Sequence, residues 1–175
     1  TSASAAFGRG LAAPERKGDS LAEARLEEGL AAADLAARQF ESAREHSSRS
    51  QELYDQIGCH RGRAATFHLR GRIAAAETRW KGAEKYYGYA LTEARALGAR
   101  WRLADLEVSL AELEFGQGRP REGEAHLKAA FDLANAQGDR PTLARIFRLQ
   151  GERRRIAGDT KEADVFFRRA LAALR

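Results

Sequence analysis

The sequence predicts an all-α solenoid of about four stacked helix pairs, and three observations carry that prediction. A Gly-x-x-x-x-x-Ala spacing returns every forty residues without insertion, at Gly18/Ala24, Gly58/Ala64, Gly98/Ala104 and Gly138/Ala144. Such a fixed period is the mark of one structural unit copied and stacked. Ala, Leu, Arg and Glu dominate the composition, only three prolines occur in 175 residues and runs of β-branched residues are missing, a mixture that favours helix. Apolar residues also recur at helical spacing: Ala163, Phe166, Phe167, Ala170, Leu171 and Leu174 form one stripe, and Ala83, Tyr86, Tyr87, Ala90, Leu91 and Ala94 repeat it in the same phase.

Taken in order, the period divides the chain into units near 18–57, 58–97, 98–137 and 138–175. First helices are expected at about 20–37, 60–77, 100–117 and 140–157, and second helices at about 40–57, 80–97, 120–137 and 160–174. The breaks carry start signals. Ser20 and Glu23 suit a capping box, Pro120 suits a first helical position, and Asp139 and Asp159 follow Gly138 and Gly158 as caps, with Glu162 three residues beyond the latter. Residues 1–17 fall in the phase of a second helix, with Leu11 in register with Leu91, but Gly8, Gly10 and Pro14 reduce this to a short helix or a frayed lead-in.

Composition narrows the function classes. The net charge of +5 is a mild excess of 30 basic over 25 acidic residues spread along the whole length, whereas binding to a phosphate backbone needs clustered cations, so a nucleic-acid partner is disfavoured. The single Cys59 has no internal disulfide partner, no apolar stretch reaches a membrane span and nothing resembles a signal peptide; a cytoplasmic setting and no membrane are expected. The chain starts at Thr1 and contains no methionine, which reads as a fragment of a larger protein.

The local signatures of catalysis are missing: there is no P-loop, no His-Glu-x-x-His, no Cys-x-x-Cys and no Gly-x-Ser-x-Gly. His46, His60, His68 and His126 have no recurrent ligand spacing. A non-enzyme without metal or cofactor is the expectation.

The repeat resembles the tetratricopeptide family over residues 18–175. Small residues stand at its eighth position (Ala31, Gly71, Ala111, Gly151), its twentieth (Ala43, Ala83, Gly123, Ala163) and its twenty-seventh (Ser50, Ala90, Ala130, Ala170), where they permit close helix approach. The large twenty-fourth residue is Tyr87, Leu127 or Phe167 but Ser47 in the first unit, and Glu27 and Glu107 replace the aromatic kept at Phe67 and Phe147, which predicts looser packing in alternate units. At forty residues the period exceeds the family's usual thirty-four. This long form is similar to repeat arrays of bacterial signalling ATPases and transcription activators and of some eukaryotic G-protein adaptors.

The resemblance implies a right-handed superhelix whose first helices line a concave groove, and hence a non-catalytic scaffold for a peptide or partner domain, within a larger regulatory or signalling protein. The groove positions are then Arg25, Glu28, Ala32 and Leu35; Ala65, His68, Arg72 and Ala75; Asp105, Val108, Glu112 and Phe115; and Arg145, Arg148, Glu152 and Arg155. Arg145, Arg148 and Arg155, with Arg72 and His68, would anchor an acidic partner segment, and Phe115 would offer an apolar pocket beside Glu112. Alternatively these arginines are solvated or paired with Glu112 and Glu152. Two further readings stand beside the scaffold: a sensor binding a small effector for an attached ATPase or activator, and a homo-oligomer formed through the last stripe, which no polar helix follows.

Overall fold

The computed structural model describes residues 20–175; the lead-in expected over 1–17 lies outside them. Among the described residues there are eight helices and no strand: α1 Ser20–Ala36, α2 Phe40–Gln56, α3 His60–Ala76, α4 Trp80–Ala96, α5 Arg100–Gly116, α6 Pro120–Gln137, α7 Arg140–Ile156 and α8 Thr160–Ala173. First helices begin at residues 20, 60, 100 and 140, so the forty-residue period of the sequence is also the period of the structure. The chain divides into two compact units, residues up to Leu97 and residues Gly98–Arg175. Each holds two helix pairs.

Local chemistry sets the breaks. Asp139 and Asp159 accept from the backbone N–H of Thr142 (3.1 Å) and Glu162 (3.0 Å), capping α7 and α8 as expected. Glu162 itself turns to Arg154 at 3.0 Å. At the expected Ser20/Glu23 capping box, Ser20 is already the first residue of α1, and Glu23 pairs with Arg49 on α2 at 3.3 Å. Helices end on a left-handed residue, which glycine supplies at positions 58, 98, 118, 138 and 158; Arg38 and Thr78 take the same conformation with φ near 59° and 58°.

The small residues of the repeat lie where helices meet. In the first unit Ala31 and Ala43 pack with Leu69 and Ile73, while Ser50, fully buried, donates to the carbonyl of Ala24 at 2.9 Å. In the second unit Ala104, Val108 and Ala111 of α5 and Leu127, Ala130 and Ala134 of α6 are covered by Ile146 and Leu149 of α7. Size is matched across three of the four pairs. Gly71 and Gly151 lie under the rings of Tyr87 and Phe167, where a methyl would collide, whereas Ala31 and Ala111 stand at the same repeat position opposite Ser47 and Leu127.

At Glu27 and Glu107, where looser packing was expected, a carboxylate–imidazole hydrogen bond joins the two helices. His46 Nδ1 lies 2.6 Å from Glu27 and His126 Nδ1 lies 2.7 Å from Glu107, each pair nineteen residues apart. Carboxylate and imidazole take the places held by Phe67 with Tyr86 and by Phe147 with Phe166 in the other repeats.

Candidate binding surface

The first helices α5 and α7 of the second unit carry the residues the sequence singled out. Arg145 donates to Asp105, to Ser109 Oγ at 3.0 Å and to Glu112 at 2.6 Å. Burial alone would lower the pKa of this guanidinium, but Glu112 and then Asp105 overcome it and raise the value, so the side chain stays charged while three acceptors hold it. Arg148 pairs with Glu152 one turn on and reaches Glu112 at 3.8 Å, leaving its side chain half exposed. Arg155 is exposed. The pairing alternative read from the sequence therefore describes Arg145, whose two terminal nitrogens both have partners, better than it describes Arg148 or Arg155.

Two expected groove residues lie elsewhere. His68 is only 4% exposed, its ring set edge-on to Tyr87 at 5.8 Å between centroids. The reason is that the fifth repeat position falls on the stripe of the first and eighth: Ala64, His68 and Gly71 are all buried, as are Ala104, Val108 and Ala111. Phe115 does not open onto a pocket either. It covers Gly123, whose Cβ would lie 2.5 Å from the ring, and Arg153 stacks over it at 4.5 Å. Arg72 is exposed on α3 of the first unit. The side chain of Trp101 lies outside the described part, and Trp80, the first residue of α4, is half-buried.

Arg145 and Arg148 border a hollow on the last apolar stripe, the face that the sequence reading offered for self-association. About 500 Å³ in volume, it is lined by Pro141 and Ala144 of α7 and by Phe167, Ala170 and Leu171 of α8, with Leu174 beyond the helix end. Leu171 and Leu174 are 62% and 64% exposed. Forty residues earlier Ala104, Val108, Leu127, Ala130 and Ala134 make the matching surface, and there Ile146 and Leu149 of α7 fill it. The hollow thus has the shape of a seat for one more helix bearing apolar residues three apart. The signal was the Ala163 to Leu174 stripe itself, whose last residues face no helix among the described residues.

Among the described residues no cluster of three His, Cys, Asp or Glu could hold a metal ion, and no helix is long and apolar enough to cross a membrane. Cys59 carries a free, half-buried thiol.

Comparison with known proteins agrees with this architecture. Residues 102–175 match the model of the tetratricopeptide repeat family. None of the curated proteins compared matches the chain. Among solved structures the chain is similar to BtubC (BKLC) from P. vanneervenii, with a TM-score of 0.73 at 16% identity, covering 98% of this chain and 72% of that one. At that identity the likeness is one of fold. Repeats of this type generally mediate protein–protein interaction and generally act as non-catalytic scaffolds. Residues 102–175 carry the family's repeat in α5–α8 and α1–α4 build a similar helix pair twice more, so the described residues form an all-α solenoid of tetratricopeptide-like repeats.

Proposed function

We propose that the chain is a non-catalytic scaffold that captures an amphipathic helix of a partner protein, and that the second unit provides the seat. The observation that carries this reading is the match between the α7/α8 hollow and the surface that Ile146 and Leu149 fill one repeat earlier. A helix presenting two branched apolar residues three apart would cover Leu171 and Leu174, and burying one such side chain contributes about 1.5–3 kcal/mol. Arg148 and Arg155 would then meet a carboxylate on the incoming helix, while Arg145, held by Asp105 and Glu112, keeps α5 and α7 in place. This narrows the acidic-segment expectation from five residues to two. As the resemblance implied, such a module suits a larger regulatory protein.

Selection from a displayed library of helical peptides, followed by anisotropy titration, tests the proposal. Selected binders should carry Leu, Ile or Phe at three- or four-residue spacing with a nearby Asp or Glu. Leu171→Glu should weaken them at least about tenfold, since a carboxylate would be buried against an apolar face, and Arg148→Glu should weaken them further, whereas Arg121→Glu on exposed α6 should not. Binders indifferent to both L171E and R148E would remove the proposal. A concentration-dependent dimer abolished by L171E would instead make a second copy the occupant.

The small-effector reading keeps one supporting fact. The hollow's volume lies within the range of small-ligand sites, about 300–1,000 Å³. A metabolite that raises the melting temperature of wild type and not of L171E would favour it.

A further inference from the structure

A second, chemically different cleft lies in the first unit. Arg44 and Ser48 of α2, Arg70 of α3, Arg79 of the α3–α4 turn and Tyr86 of α4 surround a space of about 70 Å³, and the buried Ser47 and Ile73 complete its lining. The lining holds three guanidinium groups and no carboxylate. Glu77, beside it, takes both Arg44 and Arg79, the latter at 2.5 Å from Nη2 and 3.0 Å from Nε. Arg70 is fixed differently: its Nη2 donates to the Tyr86 hydroxyl at 2.9 Å and its guanidinium carbon stands 4.6 Å over the same ring. A neutral phenol orients that cation without neutralising it. One carboxylate against three arginines leaves the cleft strongly positive.

The fold does not require this arrangement. Eighty residues on, at the equivalent positions of the second unit, the chain has Glu124, Leu127, Lys128, Gln150, Arg153, Asp159 and Phe166. The same helices pack there without a basic cleft, so the arginines of the first unit are an addition to the repeat rather than a part of it. Planar guanidinium forks bind tetrahedral oxyanions bidentately, and a dianion matches the excess charge. The cleft has room for one oxyanion group among the three guanidinium groups.

We propose that this cleft binds the phosphate monoester group of a phosphoserine or phosphothreonine on a partner protein, the rest of the partner remaining outside. The inference shares with the proposed function only the expectation of a protein partner; the cleft and the α7/α8 hollow lie in different units and are tested separately. The probe is capped phosphoserine (N-acetyl-phosphoserine methylamide), titrated into the whole chain by NMR at fixed ionic strength, beside capped serine and inorganic phosphate. Saturable shifts confined to residues lining the cleft are expected for capped phosphoserine, and none for capped serine. Arg70→Gln should weaken binding at least tenfold and Arg79→Gln, on an exposed turn residue that tolerates change, at least threefold, while L171E should leave it unaltered. Binding untouched by both arginine variants would overturn the proposal, as would equal binding of capped serine. Inorganic phosphate binding with exclusion of the monoester would overturn it as well, assigning the cleft to a free anion.

Discussion

Tyr87 of α4 lies against Gly71 of α3 so closely that a methyl group on Gly71 would occupy the ring's own space. Phe167 and Gly151 repeat the relationship eighty residues later, with ring atoms 2.7 Å from where a Cβ would stand. Where the facing residue is Ser47 or Leu127 the eighth position is alanine. In three of the four repeats the two sizes compensate, as Gly71 with Tyr87, Gly151 with Phe167 and Ala111 with Leu127, while Ala31 and Ser47 are both small. Gly71→Ala should cost about 1–3 kcal/mol by overpacking, and Ala111→Gly about 0.5–1 kcal/mol through helix entropy. In urea titrations the double variant G71A/Y87L should be more stable than its two separate losses summed, because the smaller side chain admits the methyl; strict additivity would contradict the matched-size account.

Arg38 and Thr78 end α1 and α3 in the left-handed conformation that glycine supplies at the other helix ends. A side chain there costs roughly 1–2 kcal/mol, part of which glycine gives back through the entropy of the unfolded chain. Arg38→Gly and Thr78→Gly should each stabilise by about 0.5–1 kcal/mol, seen as a higher urea midpoint with an unchanged slope. Gly138→Ala, at φ 64°, should move the midpoint the other way.

The Glu27–His46 and Glu107–His126 pairs occupy equivalent places in the two units, each half-buried. Double-mutant cycles to alanine should give coupling energies of about 0.5–1.5 kcal/mol, above the range of exposed pairs, and the two values should agree within about 0.5 kcal/mol. Coupling indistinguishable from zero in both would mean that the pairs merely fill space.

Tyr54 is nearly fully buried and donates to Glu28 at 2.8 Å. Burial first, and then the charge and hydrogen bond of Glu28, push its pKa well above the ordinary tyrosine value of about 10. The folded state thus keeps the phenolic proton where the unfolded chain releases it. This contribution to stability is complete below about pH 10 and is lost progressively above it. Tyr54→Phe should flatten the fall in stability between pH 10 and 11, as followed by circular dichroism; an unaltered slope would show that other groups govern the alkaline limb.

Helix positions were legible from Gly18, Gly58, Gly98 and Gly138 onward because the repeat imposes one register on every unit, and the small eighth, twentieth and twenty-seventh residues lie buried as their size suggested. Side-chain destinations were less legible. His68 was assigned to an open wall, yet its position shares a stripe with Ala64 and Gly71, and a polar residue type hid that periodicity. Glu27 read as a loose contact because its partner His46 lies on another helix. The basic cleft was invisible for the same reason, since Arg44, Arg70 and Arg79 come together only through α2, α3 and the turn that follows. The pairing of Arg145 with Glu112 was legible as the alternative read from the sequence, while its further contacts with Asp105 and Ser109 were not.

The account rests on register: within the second unit, residues one period apart face each other from α5 and α7, as Asp105 and Arg145 do across forty positions. A charge-reversal cycle measured by urea denaturation tests this most directly. Asp105→Arg and Arg145→Asp should each destabilise the chain by about 1–3 kcal/mol by placing like charges together, and the double reversal should recover at least half of the summed loss. Losses that simply add, with no recovery, would mean that these two residues do not meet and that the repeat does not stack in register.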